Sequence, residues 1–381
     1  LYGVGWQLCE DSGNQESEVA QRKEGIRIHN QFRLGLRPRI DNGQLTWDYK
    51  QQSTCEDNME YRTLSSTDLR VSRLSFGTLT FGSSMDEAAA CRAIDRCLAE
   101  GINFFDTANV YNKGAAETML GEALAGRRQT VIVATKAGFK TGVPDDEAGL
   151  SHAAIRKSLD SSLMRLQTDY VDLFYLHLPD YAVPIEETLA AMDEAVRAGK
   201  VRYPAVSNYA AWQVCEIRWI AEKSGFKPFC ISQPMYNVLA RGIEEEYLPF
   251  CKRFNIAVVP YNPLAGGLLT GKQSKQWGPI PGTRFDGNKL YLDRYWHDDY
   301  FAAVAELAGI ASEEGKTLVE LAFQWLLSQA QVDSIILGAS SFEQLEENLK
   351  ACQGGPLEES LLARCDAVWK RLRGITPKYN R

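Results

Sequence analysis

An alternation of short apolar runs with segments of helical period limits this chain more than any other feature. The runs, rich in β-branched residues, lie near 72–77 and at 103–108, 130–136, 171–178, 201–207, 231–236, 256–261 and 332–338, and they read as strands. Helical period fills the intervals, at 86–100, 115–125, 151–167, 184–199, 210–224, 243–254, 300–314 and 317–329. In 151–167, Ile155, Leu159, Leu163 and Leu166 recur three or four apart with Asp, Lys and Arg on the other faces, and Ser151 is placed to cap the helix. Eight strands each followed by helix favour an α/β chain closed as a (β/α)8 TIM barrel. A doubly wound open sheet is the alternative. It needs a phosphate loop after its first strand, and Gly77-Thr78-Leu79-Thr80-Phe81-Gly82 is not GxGxxG.

Three stretches stand outside the alternation. Residues 1–58 are rich in Gln, Glu, Arg, Asn and Gly with no sustained apolar period, and are expected to be poorly ordered or extraneous to the domain. The barrel domain is expected over 59–381, opening with a hairpin in Met59–Phe76 and closing with extra helices near 341–352 and 357–372. Between Tyr261 and Val332 the spacing lengthens around a Gly/Pro-rich loop, 262–299. An insertion after a barrel strand is where ligand loops belong.

Composition narrows the function classes. The chain is 45% hydrophobic and 24% charged with a net charge of -7, which argues against a nucleic-acid groove or a membrane surface as partner. No apolar run has the length of a membrane span, and the N-terminus lacks the basic and apolar regions of a secretory signal, so a cytoplasmic location is expected. Nine cysteines, odd in number, scattered and without CxxC, read as buried free thiols of a reducing compartment. Four histidines without paired ligand spacing give no metal site.

The chemistry-bearing residues fall at strand ends. Asp106 ends Phe104-Phe105-Asp106, Tyr111 follows in the loop, Lys136 ends Val133-Ala134-Thr135-Lys136, and His177 lies at the end of Tyr175-Leu176-His177. In a barrel these ends converge on one mouth. A tyrosine titrates near 10, too high for proton shuttling at neutral pH. A neighbouring ammonium favours the phenolate and lowers that value, a carboxylate holds the ammonium, and a neutral histidine can orient a carbonyl oxygen. Each residue alone also has an ordinary reading: helix cap, loop aromatic, snorkelling lysine, satisfied core histidine.

From Met59 to about Leu372 the chain resembles the aldo-keto reductase family. The resemblance rests on Phe105-Asp106-Thr107-Ala108 with Tyr111, Gly114 and Glu117, on Ala134-Thr135-Lys136, on Leu176-His177 and on Val206-Ser207-Asn208. It continues through Gln233-Pro234-Met235-Tyr236-Asn237, Tyr261-Asn262-Pro263-Leu264 and Gly338-Ala339-Ser340-Ser341 with Gln344 and Asn348. It implies a barrel that binds NADPH without a Rossmann domain and reduces aldehydes and ketones. Tyr111 would be the general acid, Asp106 and Lys136 would tune it, and His177 would orient the carbonyl.

The same resemblance implies a cofactor set. Ser207, Asn208 and Gln233 would hold the nicotinamide carboxamide, and Tyr261 would stack on its ring. Thr78, Leu79 and Pro263 would also contact the cofactor, and Leu264 and Gly266 belong to Leu264-Ala265-Gly266-Gly267-Leu268, a stretch whose backbone is free to approach a pyrophosphate. Lys272 and Arg284 are candidates for the phosphates. Many family members carry a lysine and an arginine in the C-terminal segment for the 2′-phosphate and adenine; here those positions read Gly338 and Gln344, and Ser340, Gln344 and Asn348 are like the potassium-channel β-subunit branch. NADPH is therefore expected, with NADH possible. Gly266, four residues, then Gly271-Lys272 approaches a P-loop, but Gln273 stands where a Mg-binding Ser or Thr is required. Against a working reductase stands a redox-sensing regulatory subunit with slow turnover. His177 favours the reductase, since the β-subunit pattern has asparagine there. Trp212, Trp277, Tyr291 and Trp296 are candidates for an apolar substrate pocket.

Overall fold

A computed structural model describes residues 59–142 and 148–375, together with strands 37–41 and 44–48. By its internal contacts the chain divides into two units, Leu1–Asp57 and Asn58–Arg381. In the first, β1 (Arg37–Asp41) and β2 (Gln44–Asp48) pair antiparallel across a two-residue connection. The rest of what the sequence suggested for residues 1–58 lies outside the described residues.

The second unit opens with the hairpin expected from Met59–Phe76, β3 (Tyr61–Thr63) against β4 (Arg70–Ser72). Strands β5 (Leu74–Gly77), β6 (Phe104–Asp106), β7 (Ile132–Ala137), β8 (Val171–Leu176), β9 (Val201–Ser207), β10 (Ile231–Gln233) and β11 (Ala257–Val258) then pair in chain order, all parallel. The last strand, β12 (Ile335–Leu337), returns to pair with β5. The seam between β11 and β12 is bridged by Asp333 N–H to Val258 C=O at 2.8 Å and Ile336 N–H to Pro260 C=O at 3.1 Å. The eight expected strands thus form the TIM barrel.

Strand alternation divides the core into two shells. Phe104, Ile132, Ala134, Leu173, Tyr175, Ala205, Ile231 and Ala257 point inward and pack together, and Leu64, Leu69 and Val71 of the hairpin close the same cluster from below. Phe105, Val133, Phe174 and Val206 point outward into the larger cluster shared with the helices. Arg202 fastens the hairpin side: it donates to both oxygens of Asp68 and to the buried Asp172, which also accepts from Arg128 and from Val133 N–H.

The helices follow from their caps and apolar spacing. They are α1 (Glu87–Ala99), α2 (Ala115–Ala123), α3 (His152–Leu166), α4 (Ile185–Arg197), α5 (Ala211–Ser224) and α6 (Tyr247–Phe254). Ser151 caps α3 as expected, accepting from Ala154 N–H at 3.3 Å. Inside the Gly/Pro-rich insertion lies a helix the sequence did not signal, α7 (Lys289–Tyr295), capped by Asn288. There follow α8 (Asp298–Glu313), α9 (Leu318–Leu327) with a Thr317/Glu320 capping box, and the closing pair α10 (Phe342–Cys352) and α11 (Glu359–Arg373).

The described cysteines are free thiols. Cys97, Cys230, Cys251, Cys352 and Cys365 are buried, but Cys91 is half-buried and Cys215, on the outer face of α5, is exposed, which corrects the expectation for those two. Cys9 and Cys55 lie outside the described residues. Among those residues no helix is long and apolar enough to cross a membrane.

Candidate active site

The inward parity of the strands brings the chemistry together. Phe104 and Asp106 share one face of β6, and Ile132, Ala134 and Lys136 share one face of β7; Asp106 pairs in register with Ala134. At the C-terminal mouth, Lys136 is fully buried and forms an ion pair with Asp106 Oδ1. Its Nζ also donates to Thr107 C=O at 2.8 Å and to the Tyr111 hydroxyl at 3.3 Å. Asp106 Oδ2 accepts from Gln233 Nε2 at 2.8 Å. The His177 ring lies edge-on to Tyr111, centroids 6.1 Å apart. All four residues expected at the mouth are therefore in one cluster.

Tyr111 is held there by an unusual loop. Asn112, Lys113 and Gly114 have φ of 48°, 56° and 90°, three consecutive left-handed residues. Such a conformation costs a non-glycine residue about 1–2 kcal/mol. The Asn112 amide offsets this by donating to Leu79 C=O at 3.0 Å and Phe81 C=O at 2.5 Å. Thr78, in the same turn, donates its N–H to Asp106 C=O at 2.9 Å.

Burial dominates the electrostatics. It would push the Lys136 ammonium down, but Asp106 and Tyr111 outweigh it and hold the ammonium above its ordinary value. Burial raises the Asp106 carboxyl, opposed by Lys136 and Gln233. Tyr111 departs from the simple expectation. Lys136 does pull its pKa down, but burial is larger, so the phenol lies above its ordinary value and is held protonated. Burial, and after it the Lys136 charge, drives His177 well below the usual imidazole range, which keeps it neutral.

The residues expected around a cofactor fall into three groups. Ser207, Asn208, Gln233 and Tyr261 join the mouth: Ser207 Oγ donates to Gln233 C=O at 2.9 Å, Asn208 Nδ2 to His177 C=O at 2.8 Å, and Tyr261 hydroxyl to Asn208 Oδ1 at 2.8 Å. A second group surrounds Gly338. Asn348 donates to its C=O, Ser340 donates to the Gln344 side chain, and the Arg284 guanidinium lies 3.7 Å from where a Cβ at Gly338 would stand. Thr80 Oγ1 donates to Ala339 C=O at 2.6 Å, linking that group to the turn of Thr78 and Leu79. The third is the turn Pro263-Leu264-Ala265-Gly266-Gly267. Gly266 is roofed by Tyr291, and its N–H donates to Asn262 Oδ1 at 2.6 Å. The open face is at Gly267, φ 102°, where a Cβ would meet nothing within 4 Å. Lys272 is exposed and its ammonium makes no hydrogen bond or ion pair among the described residues.

A model of the aldo/keto reductase family matches residues 73–370. The chain belongs to this family. It is 36% identical over 337 residues to aflatoxin B1 aldehyde reductase member 2 of Rattus norvegicus, covering 84% of this chain and 90% of the relative. It is 39% identical over 307 residues to a probable voltage-gated potassium channel subunit beta of Arabidopsis thaliana, covering 78% and 93%. To aldo-keto reductase family 7 member A3 of Homo sapiens it is 35% identical over 322 residues, covering 80% and 96%. The resemblance read from the motifs is borne out, and this aldo/keto reductase is an oxidoreductase that reduces carbonyl compounds with a nicotinamide cofactor.

The structure adds residues to this reductase's mouth that sequence reasoning missed. Phe139, 40% exposed, stands edge-on to His177 with centroids 4.6 Å apart. Arg294 of α7 lies 5.9 Å from the Tyr291 ring, and its charge partly offsets the burial that raises the Tyr261 phenol. Nothing in the local sequence marks either one. Of the aromatics expected in a substrate pocket, Trp212 and Trp277 are 62% and 81% exposed, whereas Trp296 packs between Phe285 and Phe301.

Proposed function

We propose that this chain reduces aldehydes with NADPH, Tyr111 giving the proton to the carbonyl oxygen. The observation that carries the reading is the 3.3 Å approach of the buried Lys136 ammonium to a protonated Tyr111 hydroxyl, with Asp106 engaged behind it. The phenol supplies the proton and the ammonium stabilises the phenolate left behind. Neutral His177 donates a hydrogen bond to the carbonyl oxygen and sets its direction. Gln233 ties the nicotinamide side to the acid: its amide nitrogen holds Asp106 while its backbone carbonyl holds Ser207.

The donor set fits a nicotinamide dinucleotide. Ser207, Asn208 and Gln233 offer hydroxyl and amide groups to a carboxamide without adding charge, Tyr261 offers a ring, and the open face at Gly267 lets a backbone approach a pyrophosphate. When bound, the cofactor supplies the hydride. NADPH rather than NADH is supported by two cations of the insertion, Arg284 beside Gly338 and the exposed Lys272. The free thiols support a reducing compartment, and we place the enzyme in the cytoplasm. An aldehyde as substrate is supported by the aflatoxin B1 aldehyde reductases among its relatives.

A panel of aldehydes and ketones with NADPH or NADH, followed at the nicotinamide absorbance, tests this. Stoichiometric NADPH oxidation with alcohol formation is expected, and no oxidation with any carbonyl would contradict it. The potassium-channel relative favours a second reading, a regulatory subunit that reports cofactor state. Slow turnover together with a stable co-purifying partner would move the balance to that reading.

A further inference from the structure

Outside the barrel wall, directly behind the mouth, lies a buried carboxylate that the chemistry above does not use. Glu117 of α2 is 0% exposed. One of its oxygens accepts from Thr135 Oγ1, and the other accepts from Arg165 Nε at 2.7 Å. Its partners connect two catalytic elements. Thr135 is the outward-facing neighbour of Lys136 on β7, so the carboxylate grips the strand that carries the ammonium. On the other side, Glu117 begins the helix that the Tyr111 loop runs into.

The surrounding packing is shaped for this grip. Gly114, Glu117 and Gly121 lie three and four apart, on one face of the loop end and α2. A Cβ at Gly114 would stand 2.7 Å from Arg165 Cδ, and one at Gly121 would stand 2.6 Å from the backbone of Leu166. The two glycines therefore let the last turn of α3 close onto α2 and bring the Arg165 guanidinium over the carboxylate. Ser162 of α3 also faces this pair.

We propose that Glu117 and Arg165 are positioning residues that set the separation of the Tyr111 hydroxyl from Lys136 from outside the barrel. Glu117 fixes the strand through Thr135, and Arg165 fixes the loop by lying across Gly114. Neither touches the reacting atoms. The proposal rests on Tyr111 as proton donor.

The test uses the full chain with NADPH and one aldehyde substrate. In the double variant Glu117→Gln/Arg165→Met both charges leave together, so no ion is orphaned. Its kcat is expected to fall about ten- to a hundredfold, with KM for the aldehyde and Kd for NADPH within about twofold of wild type. The solvent isotope effect on kcat is expected to rise, because a displaced phenol makes proton transfer slower. Arg165→Lys is expected to return both values toward wild type. Thr135→Val, which cuts only the strand end of the grip and keeps the ion pair, serves where the double variant does not fold, with the same changes on a smaller scale. A kcat that falls only with the folded fraction, at an unchanged isotope effect, would overturn the proposal. Tyr111→Phe run in parallel separates the two readings: if it keeps full turnover the proton-donor assignment fails, whereas an inactive Tyr111→Phe with an unmoved isotope effect in the other variants sinks the positioning role alone.

Discussion

Lys136 is fully buried and stays charged because three oxygens surround it: Asp106 Oδ1, Thr107 C=O and the Tyr111 hydroxyl. Removing its partner would leave a buried ion uncompensated, which costs about 3–5 kcal/mol. Asp106→Leu is therefore expected to lower the urea midpoint as well as turnover, and denaturation at pH 7 measures it. His177 carries a pH signature of its own. Its folded-state pKa lies well below 6.5, so below about pH 6.5 the unfolded chain binds more protons than the folded one. Stability from this group is complete above that value and is lost as pH falls toward the folded pKa, with a slope of at most about 1.4 kcal/mol per pH unit. Urea midpoints between pH 5 and 7 are expected to fall more steeply for wild type than for His177→Asn, and equal slopes would contradict the burial argument.

At the scale of elements, the insertion after β11 brings cations and aromatic rings to the mouth. Arg284 donates to the Tyr291 hydroxyl at 3.2 Å and lies beside Gly338, while Tyr291 roofs Gly266. If Arg284 meets a cofactor phosphate, Arg284→Ala is expected to raise Kd for NADPH about tenfold, a loss of about 1.4 kcal/mol, and to change NADH binding less. Fluorescence titration with both cofactors checks this, and equal losses for the two would remove the 2′-phosphate from the assignment. The helix contact behind the mouth makes a separate prediction. Gly121→Ala places a Cβ 2.6 Å from the carbonyl of Leu166, so α2 must move off α3, at a cost of about 1–3 kcal/mol measurable by urea unfolding.

Elements also show what could be read in advance. Strands such as 171–176 were legible because both faces are buried and the run is apolar except for Asp172. Helix α7 was not, because Lys-Leu-Tyr-Leu-Asp-Arg-Tyr is short, mixed in polarity and set among Gly and Pro. The four mouth residues were legible because Asp106, Lys136 and His177 lie at strand ends, Tyr111 lies in the loop after one of them, and a barrel gathers strand ends. The bonds that join them to their surroundings were not. Gln233 reaches Asp106 across 127 residues, and Arg165 reaches Glu117 across 48, and no local pattern encodes such pairings.

The unit Asn58–Arg381 is built on a ring of strands that closes between β11 and β12. Strand β11 has two residues, and the seam depends on Asp333, whose N–H donates to Val258 C=O and whose carboxylate accepts from Val258 N–H at 2.7 Å. Asp333→Ala leaves a partly buried N–H without its acceptor, and is expected to cost about 1–3 kcal/mol. Closure matters for function because the eight strand ends must face one point. Ser207 of β9, Gln233 of β10 and Asp106 of β6 meet only in a ring, and through them Ser207 and Tyr111 are held in one frame, as the proposed roles of nicotinamide contact and proton donor require. Whether Tyr111 is that donor is decided most directly by Tyr111→Phe, comparing turnover of an aldehyde at saturating NADPH with NADPH affinity. Turnover is expected to fall by about 10²–10⁴ with affinity nearly unchanged, since the ring stays and only the proton is lost. Turnover within a few-fold of wild type would contradict the assignment of Tyr111 as the acid.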